Sequence, residues 1–295
     1  MPAALLIMPV LLIAMILLWV IPDKMLVIYI LIPMAIYMVT VFIFRVRINL
    51  FFAEKFPPRL MREMIEVLER YFPFYHRLNA AERKRFQKRV AMFDIPKEFV
   101  AKELPAVPED IKTLIMAHAI MITFGKKEFV LPEWIMIVVY KNPFISEQIT
   151  HWHAAEWHHE DGVLMISADV MVSGLTKSRT TFNFATYLMA QAFAISEGID
   201  NSDYLVVPNA EGDQAAHYIQ LLAQIRNWPK GPESFYKKFS EEDLFGLTVE
   251  HFFYHPKKFK EILPETYDNL VRLLNLDPIH AEDPVVDTEL LEMTV

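Results

Sequence analysis

Histidines and carboxylates in two places along the chain have the spacing that could hold a metal ion or move a proton. His151-Trp152-His153 sets two imidazoles on the same face of a strand, and His158, His159, Glu160 and Asp161 follow within reach across a hairpin turn. Such clustering is what a zinc site requires. The simpler reading is a solvated loop tip, because turns collect polar residues. In the second place, Glu250 stands beside His251, and His255 lies one helical turn further on, a two-imidazole face on an uninterrupted helix. Pro256 follows directly, so His255 falls at or beyond the last turn, where a charged histidine complements the helix C-terminus.

The remaining polar candidates carry less. His118 and His217 sit in helix-like apolar stretches and read as hydrogen-bonded core histidines. Ser173, Ser178 and Ser196 have no nucleophile-elbow glycines around them. Lys177-Ser178-Arg179 could hold an anion but reads first as a solvated loop, and Trp134, Trp152, Trp157 and Trp228 serve equally as core or rim. The chain has no cysteine, which removes disulfides, thiolate zinc sites and thiol nucleophiles and agrees with a cytoplasmic setting. Only 7 glycines, and no Gly-rich loop ahead of a helix, argue against a phosphate cradle.

The elements that must position these groups begin with two apolar runs, Ala3 to Ile21 and Met25 to Phe44, joined by Pro22-Asp23-Lys24 and free of charge. Each is long enough to cross a hydrocarbon core of about 30 Å as a helix, and Pro9 and Pro33 are tolerable there. A cleaved signal peptide fits poorly without a basic leader or a small-residue cleavage site, and two buried soluble helices fit poorly with the length. The short connection predicts a hairpin over residues 1–45, with the domain 46–295 on the same side as Met1. Arg45, Arg47, Lys55, Arg59 and Arg62 then favour the cytoplasmic side. Arg70, Arg77, Arg83, Lys84, Arg85, Lys88 and Arg89 extend this basic flank, whereas Glu282, Asp283, Asp287, Glu289 and Glu292 crowd the other end. Anionic headgroups rather than nucleic acid are the expected partner of the flank.

Beyond the hairpin, helical periodicity predicts helices over Arg59 to Tyr71, from the Asn79 cap to about Phe93, and over Ile111 to Phe124 with Gly125 as its stop. Further helices are expected over Thr180 to Ser196, Asp213 to Asn227, Glu241 to Phe253 and Glu265 to Leu276. Trp134 to Tyr140 reads as a strand buried on both faces. Ile149 to Trp157 and Val163 to Ser167 read as two strands joined by a turn. This is an α+β order, mostly helical with a small mixed sheet.

Several motifs follow one another in one ordered series. They are Tyr71-Phe72-Pro73-Phe74-Tyr75-His76-Arg77-Leu78, Leu114-Ile115-Met116-Ala117-His118-Ala119, Gly162-Val163-Leu164-Met165-Ile166-Ser167, Val249-Glu250-His251-Phe252-Phe253-Tyr254-His255-Pro256 and Asn275-Leu276-Asp277-Pro278. With these the soluble part resembles the Mlc titration factor A family, glucose-regulated zinc metallopeptidases with a zincin-like fold; the membrane hairpin is an addition to that form. The resemblance implies a helix carrying His-Glu-Phe-Ala-His, where two imidazoles bind zinc and the glutamate polarises its water. The matching stretch here is Phe182-Asn183-Phe184-Ala185-Thr186. Phe182 has no lone pair to donate, Asn183 cannot take a proton near neutral pH, and Thr186 is a poor zinc ligand. Glu250 alone falls where the family has its third ligand.

The expected protein is therefore a membrane-anchored, catalytically inactive relative of zinc metallopeptidases, a pseudopeptidase that binds a protein or peptide in a regulatory role and needs no cofactor. The alternative is an active metal-dependent peptidase that holds zinc through relocated ligands, either His151, His153, His158 and His159 or Glu250 with His251 and His255.

Overall fold

The computed structural model of the chain describes residues 2–176, 182–208, 213–226 and 239–279. Helices α1 (Pro2–Val20) and α2 (Lys24–Ile43) form the expected hairpin, and both are long and apolar enough to span a membrane. Their most apolar windows are only 6% and 11% buried, which sets them apart from core helices of a soluble domain. Asp23 explains the sharp restart, since its side chain accepts from the backbone N–H groups of Met25 and Leu26 at the head of α2.

A helix that periodicity did not reveal comes next. In α3 (Arg45–Lys55) the chain continues after a break at Phe44 and packs on α1 and α2, with Asn49 Oδ1 accepting from Ala3 N at 3.1 Å. Its apolar and charged residues do not segregate cleanly, so packing decides the conformation. Pro57-Pro58 then holds the chain extended, and the helix expected from Arg59 begins instead as α4 (Arg62–Tyr71). Two short helices starting at prolines, α5 (Pro73–Arg77) and later α12 (Pro256–Ile262), were also not foreseen. The Asn79 cap of α6 (Ala80–Phe93) is a full capping box with Glu82.

The four-stranded sheet has the order β1-β2-β4-β3, with β1 (Glu98–Lys102), β2 (Met136–Tyr140), β3 (Ala155–His158) and β4 (Val163–Ser167). β1 pairs parallel with β2 and β2 with β4, while β3 runs antiparallel along the edge. The inner position of β2 accounts for its continuous apolar run, Ile137, Val138 and Val139 all being buried. The mixed sequence of β1 gave no such signal, because an edge strand is covered on fewer sides. The strand expected from Ile149 shrinks to β3. Residues before it fold back instead, through a turn closed by Ser146 and Ile149 and a bridge between Phe144 and His153.

Helix α7 (Glu109–Ile122) is buried along nearly its whole length and packs against α4, α6 and α9 (Phe184–Glu197). After the sheet come α8 (Ala168–Thr176), which the sequence reading passed over, then α9, α10 (Gln214–Arg226), α11 (Leu244–Tyr254), α12 and α13 (Pro264–Leu274). Lys177, Ser178, Arg179, Trp228, Glu282, Asp283, Asp287, Glu289 and Glu292 lie outside the described residues.

Helix α7 ends before the stop expected at Gly125, with Thr123 as its cap. Gly125 is needed for closeness: a Cβ there would sit 2.1 Å from the carbonyl oxygen of Asn275, whose side chain also donates to Gly125 O at 2.9 Å. Gly198, by contrast, is a left-handed cap of α9 with open space around it. Gly125→Ala is predicted to cost more stability in urea unfolding, about 2–3 kcal/mol for forced overpacking, than Gly198→Ala at about 1 kcal/mol.

His118 is fully buried on α7, with Nδ1 at 2.7 Å from Leu114 O and its ring edge-on to Phe72. Burial pulls its imidazole down from 6.5 to about 4. The folded chain thus binds this proton less readily than the unfolded one, so stability falls as the pH drops from about 6.5 towards 4. His118→Leu should flatten that decline by up to about 1.4 kcal/mol per pH unit, measured by unfolding across this window.

Candidate functional site

The stretch expected to correspond to a metal-binding helix, residues 182–186, is only partly helical. Helix α9 begins at Phe184, and Asn183 is its N-cap, accepting from Thr186 N at 2.9 Å and from the Thr186 hydroxyl at 3.1 Å. Asparagine is among the best N-cap residues, which gives the residue expected at a general-base position a structural task. Phe182 consequently precedes the helix, so positions 182 and 186 do not lie one turn apart on a continuous helical face.

Helix α11 brings Glu250 to the same point. Gly246 lets α11 approach α9 closely, since a Cβ there would lie 2.6 Å from the Tyr187 ring. Glu250 Oε1 accepts the backbone N–H of Asn183 at 2.9 Å, and Oε2 is bonded to a guanidinium nitrogen of Arg226 at the end of α10. The Arg226 guanidinium also lies over the Phe182 ring, 5.4 Å from its centre. Tyr254, one turn beyond Glu250, accepts from Asn183 Nδ2 at 2.7 Å. The Arg226 and Glu250 side chains are fully enclosed, and Phe182, Asn183 and Thr186 are buried with them.

The electrostatics follow from this enclosure. Burial pushes the Glu250 carboxyl up from its usual value, with Arg226 and the Asn183 N–H pulling the other way. His251 is buried with Nδ1 at 2.7 Å from Leu247 O, and burial together with Arg226 holds its imidazole well below its ordinary value. His255 ends α11, its ring centre 6.2 Å from that of His251. The residues present do not fit a zinc ion. Phe182, Asn183 and Thr186 offer no imidazole, and both oxygens of Glu250 are already bonded to donors. The carboxylate does hold a cation, and that cation is a guanidinium.

The other histidine group is brought together only in part. Glu156 of β3 is buried between His153, whose Nε2 lies 3.1 Å from Oε2, and His158, whose Nε2 lies 3.0 Å from Oε1 without good hydrogen-bond alignment. His151 is exposed, outside any strand, so it does not share a strand face with His153 as expected. His159 packs towards Trp134, the two ring centres 5.9 Å apart. Glu156 faces both imidazoles but is hydrogen-bonded only to His153, and among the described residues no three His, Asp or Glu side chains converge on a point that could hold a metal ion. His217, read as a core histidine, faces Pro208 O at 3.2 Å from a more open position.

Sequence reading missed Arg226 and Tyr254. The signal for Arg226 was a lone basic residue closing the apolar stretch Ile219-Gln220-Leu221-Leu222-Ala223-Gln224-Ile225, a place where a charge needs a partner.

Residues 51–182 match the family described as glucose-regulated metallo-peptidase M90, while no curated protein matches the chain. The match supports a metallopeptidase-like fold. It ends at Phe182, so the α9 cap, Arg226 and Glu250 all lie beyond it.

Arg226→Met is predicted to destabilise the protein by about 3–5 kcal/mol, because it strands a buried carboxylate. Combining it with Glu250→Leu should recover most of that loss, and Asn183→Ala alone should cost about 1–2 kcal/mol. Urea unfolding of the four proteins tests the set.

Proposed function

We propose that this protein is a membrane-anchored, non-catalytic member of the metallopeptidase-like class that binds a protein or peptide partner in a regulatory role. The observation that carries the reading is the Arg226–Glu250 pair, closed by the Asn183 N–H, at the place where a zinc peptidase of this class would coordinate its metal. Neither a metal-bound water nor a substrate carbonyl can be activated by groups that are capped, paired and enclosed.

Anchoring by α1 and α2 is supported by their length, apolar composition and exposure. The basic residues after α2 support a cytoplasmic position for the domain. Partner binding draws support from the sheet edge at β3 and from apolar side chains near it, notably Trp152, 71% exposed, and Ile145. A large exposed tryptophan beside a strand edge that has no partner strand among the described residues is the kind of surface that anchors an extended peptide.

The test is hydrolysis of a peptide library by the purified full chain, with and without a chelator. No chelator-sensitive turnover is expected. Rebuilding the motif as Phe182→His, Asn183→Glu and Thr186→His should not create any, because position 182 is off the helix and Glu250 is occupied. Turnover by the unaltered chain that the chelator abolishes would defeat the reading.

A further inference from the structure

Helix α3 carries a surface that the proposed function leaves unused. Arg47, Phe51 and Lys55 follow at i, i+4 and i+8 and form one exposed stripe, with Lys55 Nζ 4.7 Å from the centre of the Phe51 ring. Phe51 is 54% exposed and Phe56, just past the helix, is 76% exposed. The opposite side, around Asn49 and Ala53, is the one turned to the hairpin, where Asn49 bonds to Ala3 N. Arg45 adds a further cation, set over the Phe42 ring at 4.9 Å. Between residues 45 and 59 there are four basic residues and one acidic residue, Glu54. Lys88 of α6 donates to Glu54 O at 3.0 Å, which links this helix to the soluble domain.

From this geometry we infer that α3 is an interfacial helix whose Arg47, Phe51 and Lys55 stripe binds the anionic headgroup layer of the bilayer and thereby holds the domain close to the membrane surface. The occupant follows from position and charge. α3 starts one residue after the apolar span ends and packs on both hairpin helices, so its free face lies at the level where hydrocarbon gives way to headgroups. Aromatic rings between long cationic side chains suit that layer, the rings at the acyl boundary and the charges on phosphates. The inference rests on the anchoring reading, since α3 reaches that level only if α1 and α2 span the membrane.

The absence of cysteine makes the test direct, because one introduced cysteine labels one place. Full-length protein carrying Ile36→Cys in the span or Phe56→Cys beside the stripe is labelled with a fluorophore and reconstituted with lipids bearing an acyl-chain quencher. The vesicles contain phosphatidylcholine alone or mixed with phosphatidylglycerol. The Ile36→Cys probe should be quenched in both. The Phe56→Cys probe should be quenched strongly only with phosphatidylglycerol, and Arg47→Gln with Lys55→Gln should lower its docked-to-free ratio on the order of thirtyfold, about fivefold per cation. Quenching at position 36 with none at 56 in either vesicle would overturn the inference and leave the anchor standing. Equal quenching at 56 in both vesicles, unchanged by the two glutamines, would overturn the anionic selectivity. No quenching at position 36 would overturn the anchor and, with it, the inference.

Discussion

A carboxylate sealed in a protein interior needs a cation and hydrogen-bond donors at once, and Glu250 has both. Removing such a group from water costs several kcal/mol even after the surroundings relax, and only close, well-directed partners offset it. The guanidinium of Arg226 takes one oxygen and the Asn183 N–H takes the other. These donors come from α10 and from the residue that caps α9, while the carboxylate comes from α11. Three helices that are separate in sequence are thereby held at one point, and the position of each limits the others. A substrate-accessible metal site and this sealed pair are incompatible uses of the same carboxylate.

The same constraint explains the residues around it. Asn183 presents its backbone to Glu250, its carbonyl oxygen to Thr186 and its amide nitrogen to Tyr254, so each polar group of the capping residue has a partner. Phe182 supplies the apolar face under the guanidinium. Residues that look like losses when compared with a zinc-binding motif are joined here by hydrogen bonds, an ion pair and a cation–ring contact. The match to the metallopeptidase family ends where this arrangement begins, so the scaffold before it and the site after it rest on separate observations.

How much of this was legible in the sequence depended on how local the determinant was. Asn79 acts within a turn of its own position, and the helix start it sets follows from residue type and spacing. The apolar run of β2 was equally clear. By contrast, α3 and β1 have mixed sequences whose conformation is decided by what they pack on. The strand expected from Ile149 failed because the chain before β3 turns back to pair His153 with Phe144. In the site, the unsuitability of Phe182, Asn183 and Thr186 as metal ligands could be read residue by residue. The pairing of Arg226 with Glu250 across 24 positions could not, because nothing local marks which distant charge a buried arginine will meet.

Zinc binding at equilibrium bears most directly on the occupancy of Glu250. The full chain and its Glu250→Gln variant would be dialysed against buffered zinc and the bound metal counted per folded molecule. A guanidinium already seated on the carboxylate predicts the same low background in both proteins. About one zinc per chain in the unaltered protein, lost in the glutamine variant, would contradict the account.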